Sequence, residues 1–314
     1  MGVRAPLTRR WHRVGMVLAL AIVGAGLSGC NSGGSSASGV IAAVGAENQY
    51  ANVIAQIGGR YVHASAIMSN PSVDPHTFEV STSVAQVVSQ ARLVVQNGLG
   101  YDQFMTQLES ASPSSSRRVI DVQHLLKLSD ATANPHLWYK PSTMPIVAAL
   151  IERDLAAMAP SHASYFAARL ANFRSSYTPL TAAIAAFRAR FAGDVVATTE
   201  PVADYLLAAL GLVDATPWRL QADVMNGIDP SPEDVATLQT MIRDHHVAAL
   251  CYNAQVTSSV TQALAALAQG AHVPIVAVYE TMPEPGYDYQ SWMRAEIRAL
   301  SRALRTHAST TVLR

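Results

Sequence analysis

Short runs of aliphatic and β-branched residues alternate along this chain with longer segments whose apolar positions recur every three or four residues. The runs at 41–44, 61–68, 92–96 and 118–122 predict strands in the first part, and those at 194–198, 247–252 and 274–279 predict strands in the second. Strands separated by helical segments pair in parallel, so the pattern predicts an α/β fold with parallel sheets. Between the two sets, Tyr165, Phe166, Leu170, Phe173, Tyr177, Leu180, Ile184 and Phe187 keep a helical spacing across residues 161–191. About 31 residues at 1.5 Å each predict a rod on the order of 45 Å long. Pro179 falls inside it and removes one backbone hydrogen bond, so the expectation is a bend or two consecutive helices.

The first thirty residues break this pattern. Residues 1–13 carry Arg4, Arg9, Arg10 and Arg13 and no acid, residues 14–27 are an uncharged apolar run, and Leu27-Ser28-Gly29-Cys30 follows. The apolar run is shorter than the roughly 20 residues that span a bilayer. Residues 1–29 therefore read as a signal peptide of the lipoprotein kind. Leu27-Ser28-Gly29-Cys30 resembles a lipobox, which implies cleavage before Cys30, lipidation of that residue and anchoring at the extracytoplasmic face of the cell membrane. Residues 30–40, rich in Gly and Ser, predict a flexible tether.

Charge narrows the partners. Removing residues 1–29 turns 22 basic against 22 acidic residues into 18 against 22, because four arginines and no acids leave. A mildly acidic body excludes the basic footprint of a nucleic-acid binder. Apart from Cys30 the chain has only Cys251, in an apolar run, so it forms no internal disulfide and is expected to be buried.

The chemistry points to a metal. His76 stands in Asp74-Pro75-His76-Thr77-Phe78-Glu79 and His136 in Asn134-Pro135-His136-Leu137-Trp138, and in both places a proline's fixed φ restricts where the imidazole goes. Polar residues also recur just after predicted strands: Glu47-Asn48, His76, Asn97-Gly98, Glu200, Asn253 and Glu280. Ligands of open parallel sheets bind outside the carboxyl ends of the strands, so these residues are placed to share a crevice. His245-His246 reads as a solvated pair, and His63, His124, His162, His272 and His307 stand alone. There is no His-Glu-x-x-His, no Gly-x-Ser-x-Gly, and Gln103 stands where a dinucleotide fingerprint needs its third glycine.

Three segments carry a family resemblance. Asp74-Pro75-His76-Thr77-Phe78-Glu79 resembles the Asp-Pro-His-x-aromatic-Glu motif of the metal-binding lipoproteins that deliver zinc or manganese to ABC importers. Asn97-Gly98-Leu99-Gly100-Tyr101-Asp102 resembles the family's Asn-Gly-x-x-aromatic-Asp segment, and Asn134-Pro135-His136-Leu137-Trp138 its Asp-Pro-His-aliphatic-Trp, with Asn134 for the usual Asp. The likeness runs from about residue 43 to residue 304. It implies two parallel-sheet α/β lobes, 41–160 and 193–314, linked by one long rigid helix over 161–192, with a divalent ion held between them.

Carried over residue by residue, the resemblance makes His76 and His136 the ligands of the first lobe. Glu200 stands at the third ligand position and Glu280 at the fourth, where relatives usually have Asp. Asp74 and Glu79 are expected to orient His76. Two neutral imidazoles and two carboxylates form a neutral complex with a divalent ion, which offsets the penalty of burying its charge. Four protein ligands suit capture, whereas catalytic zinc keeps one position open for water. The reading is a monomeric binding protein, not an enzyme, that hands Zn2+ or Mn2+ to a permease and its ATPase. The alternative is a zinc-dependent hydrolase using the same cluster.

Overall fold

The computed structural model describes residues 39–70, 78–283 and 286–313. Cys30, Asp74 and His76, with the leader and most of the tether, lie outside the described residues.

Two parallel sheets form the frame. The first contains β1 (Ile41–Glu47), β2 (Val62–Met68), β3 (Leu93–Gln96) and β4 (Arg118–Asp121) in the order β2-β1-β3-β4. The second contains β5 (Val195–Thr198), β6 (Val213–Asp214), β7 (Leu250–Asn253) and β8 (Ile275–Val278) in the order β6-β5-β7-β8. All pairings are parallel. Seven of these strands fall on the predicted runs. The exception is β6, whose two residues are too few to show alternation.

The order 2-1-3-4 reverses direction between β1 and β3, and 6-5-7-8 does so between β5 and β7. A crevice opens outside the carboxyl ends at each reversal. Glu47 ends β1, Asn97 follows β3, Glu200 lies two residues past β5, and Asn253 ends β7. The topology thus brings the polar residues of the sequence pattern to these two ends.

One continuous helix, Ala163–Phe191, connects the two sheets. It runs through Pro179 as a single element of 29 residues, not as two helices. Burial explains why. Phe166, Leu170, Phe173, Tyr177, Leu180, Phe187 and Phe191 are all buried along one face, and at about 1.5–3 kcal/mol each they outweigh the ~3 kcal/mol cost of an interior proline. That face packs on the helices Thr143–Met158 and Tyr289–Thr306. The resulting apolar cluster continues from Ile41 and Tyr50 through Trp138 and Phe173 to Tyr279, Trp292 and Leu300. The two sheets therefore share one core, and the polar ends of their strands meet above it.

Candidate metal centre

Proline places His136. Pro135 leads it into a 3-10 turn, Leu137–Tyr139, and the imidazole is fully buried. The Asn134 amide Nδ2 donates to the Pro201 carbonyl at 2.7 Å, so its Oδ1 points the other way, toward the histidine. That oxygen accepts from the His136 backbone N–H at 3.0 Å and lies 2.8 Å from His136 Nδ1. An amide oxygen only accepts, so Nδ1 carries the proton and, in the neutral imidazole, Nε2 keeps the lone pair. Asn134 does the orienting that an aspartate would do, without adding a charge.

That lone pair faces Glu280, whose Oε2 is 3.7 Å from His136 Nε2 with both side chains buried. The Tyr101 hydroxyl donates to Glu280 Oε2 at 2.7 Å. Burial first, and then the nearby charges of Glu280 and Glu47, push the Tyr101 hydroxyl well above its ordinary value, so it stays a donor.

Asn253 ties the two acids together. Its Nδ2 donates to Glu280 Oε1 at 2.7 Å and to Glu200 Oε1 at 3.2 Å. The Gln255 N–H donates to Asn253 Oδ1 at 3.0 Å, which sets the amide's orientation. Glu200 is buried and begins the 3-10 turn Pro201–Ala203. His136, Glu200 and Glu280 thus converge in pairs, His136 with Glu280 directly and Glu280 with Glu200 through Asn253. Among the described residues, no group of three or more His, Cys, Asp or Glu side chains is arranged to hold an ion by itself.

The Asn97–Asp102 segment acts as a bracket. Asp102 accepts from the N–H groups of Asn97 and Gly98, and Asn97 in turn donates to the Pro135 carbonyl at 2.8 Å, directly before His136. Gly98 has φ +81°, and a Cβ there would stand 2.8 Å from Gln123 Cβ, so only glycine makes this turn. Tyr101 emerges from it toward Glu280, and its ring packs edge-on against Trp138 at 5.0 Å.

The other sequence candidates differ in burial. Glu79 stands exposed at the surface. Glu47 is fully buried, and its two carboxylate oxygens have no hydrogen-bond partner among the described residues. Burial, then Asp102, raises its pKa well above the ordinary value. The exposed His245, His246, His272 and His307 line a separate open hollow of about 480 Å3 beside the amino-terminal ends of β5, β7 and β8. Tyr101 and Asn253 are the residues whose roles the sequence did not assign, although the first lies inside a quoted motif and the second just after a predicted strand.

The profile of a protein family described as zinc-uptake complex component A, periplasmic, matches residues 44–303. The chain belongs to the ZnuA family. It is 24% identical to the metal ABC transporter substrate-binding lipoprotein FimA of Streptococcus parasanguinis, over 89% of this chain and 94% of that one. It is 25% identical to the manganese-binding lipoprotein MntA of Bacillus subtilis, over 49% of this chain and 53% of that one. The solved structure of the periplasmic zinc-binding protein TroA from Treponema pallidum superposes with a TM-score of 0.69 at 18% identity, covering 85% of this chain and 98% of that one. As a ZnuA-family member the chain is a substrate-binding protein of a metal ABC transporter, and the hydrolase alternative is set aside.

Proposed function

We propose that His136, Glu200 and Glu280, with His76 as the fourth ligand, hold one Zn2+ or Mn2+ ion between a first lobe, 41–160, and a second, 193–314. The observation that carries this is the approach of His136 Nε2 to Glu280 Oε2 at 3.7 Å, with Asn134 holding the proton on the other ring nitrogen. Two donors that each sit about 2.0–2.2 Å from a shared ion stand roughly 3–4 Å apart, so the spacing is that of two ligands. The donor set of two imidazoles and two carboxylates accepts either ion. Relatives divide the same way, since MntA is named for manganese and TroA for zinc.

The ion would pass to a membrane permease driven by its ATPase. Because the helix Ala163–Phe191 is packed along its length, release is expected to use loop shifts and a small lobe movement. Stoichiometric titration tests the assignment. One equivalent of ion should bind, and loading at ~1,000 times Kd should add about 4 kcal/mol of stability. The gain should fade as pH drops through the imidazole range, because protons compete for both histidines. A melting curve unmoved by either ion contradicts the proposal.

Cleavage before Cys30 and lipidation would leave the folded body on the 30–40 tether at the outer face of the membrane, as the lipoprotein names of FimA and MntA suggest. Cys30→Ser is then expected to fold, bind metal and appear in the soluble fraction. Its retention on membranes after a high-salt wash would argue against a lipid anchor.

A further inference from the structure

Resting on the assignment of Glu280 as a ligand, we infer that Asn48 and Gln49 are positioning residues that set where the Glu280 carboxylate stands. The segment that carries Glu280 follows β8 without joining a helix or a strand, so its backbone groups need partners from elsewhere. Gln255, beyond β7, supplies one side. Its Oε1 accepts from the N–H groups of Glu280 and Thr281 at 2.6 and 2.8 Å. The other side comes from the first turn of the helix Asn48–Gly58, which follows β1 in the opposite sheet. Gln49 Nε2 donates to the Glu280 carbonyl at 3.1 Å, and Asn48 makes a two-point clamp on Met282, donating to its carbonyl and accepting from its N–H at 2.8 Å each.

Both amides are buried, so water does not compete for these bonds. The helix that bears them is itself immobilised by Tyr50, Val53, Ile54 and Ile57, all buried in the shared core. Asn52 and Gln56 continue the same face of that helix at four-residue spacing. Asn52 Oδ1 accepts from the Tyr289 N–H at 3.1 Å, and Gln56 exchanges amide bonds with Gln290 at 2.9 Å. Glu280, Met282, Tyr289 and Gln290 are therefore all tied to the helix that follows β1 of the first sheet. His136 takes its position from that sheet too, through Asn97 on the Pro135 carbonyl. Asn48 and Gln49 thus register Glu280 against His136 in one rigid frame, which is what a site needs if it is to bind an ion without first reorganising.

A double-mutant cycle with Mn2+ and Zn2+ as probes tests this. Gln49→Met keeps the volume and removes only the amide, and Asn48→Ala removes the Met282 clamp. Each should lower affinity roughly 10- to 100-fold through faster dissociation, with apo melting curves confirming that both variants fold. In a Glu280→Ala background the same substitutions should change affinity little, since the group they place is gone. Wild-type affinity in both variants, or an equal loss with and without Glu280, overturns the inference. A Glu280→Ala protein that binds as tightly as wild type instead overturns the ligand assignment beneath it.

Discussion

Glu200→Ala is expected to weaken metal binding by more than about 100-fold, because a lost direct ligand should cost more than the 10- to 100-fold of an outer-shell partner. The residue is buried beside Glu280 and shares the Asn253 amide with it. On the proposed ligand set, its loss also leaves a divalent ion with one carboxylate instead of two, and the uncompensated charge is costly in a buried site. Glu200→His should retain binding and shift preference toward zinc, for which a nitrogen donor is better suited than for manganese. Titration of both variants with both ions reads this directly. Undiminished affinity in Glu200→Ala would remove Glu200 from the ligand set and leave Glu280 as the second lobe's contribution.

Glu296→Gln is expected to stabilise the protein above neutral pH. Glu296 lies fully buried in the last helix, Tyr289–Thr306, where burial raises its pKa from an ordinary 4.5 to about 8, partly opposed by hydrogen bonds from Tyr139 and Trp292. The folded chain keeps this proton to about pH 8, whereas the unfolded chain releases it near pH 4.5, so stability falls as pH rises between those values. At ~1.4 kcal/mol per unit, the upper bound on that loss is about 5 kcal/mol, and a few kcal/mol is the expected size. Glutamine keeps an acceptor for the Tyr139 hydroxyl and Trp292 Nε1, each 3.0 Å from Glu296 Oε1, and does not ionise. Urea melts at pH 4 and pH 8 should show near-equal stability at the lower value and a clear gain for Glu296→Gln at the higher. A constant difference across the range would mean that Glu296 does not titrate as its burial requires.

The frame of this protein is legible because its inner strands are buried apolar runs with a strong local signature. The strand β6 escapes since two residues carry no period. Pro179 misleads in the other direction: a local rule breaks the helix there, and seven buried side chains on one face override it. Within the site, Pro-His marks His136 from sequence because proline constrains the backbone before any partner is known. Asn253 follows a predicted strand and Tyr101 lies in a quoted motif, but their roles exist only once β7, β8 and the Asn97–Asp102 turn converge. Asn134 is visible in the sequence as an unusual residue, but its amide orientation follows from the Pro201 carbonyl, far along the chain. The clamp by Asn48 and Gln49 is hidden for the same reason, since its partners lie more than two hundred residues away.

Anomalous diffraction from crystals grown with Mn2+ or Zn2+ addresses the central claim most directly. One strong peak should appear within bonding distance of His136 Nε2 and carboxylate oxygens of Glu200 and Glu280, with the His76 imidazole completing the set. A peak touching residues of one sheet only, or one in the hollow lined by His245, His246, His272 and His307, would contradict it.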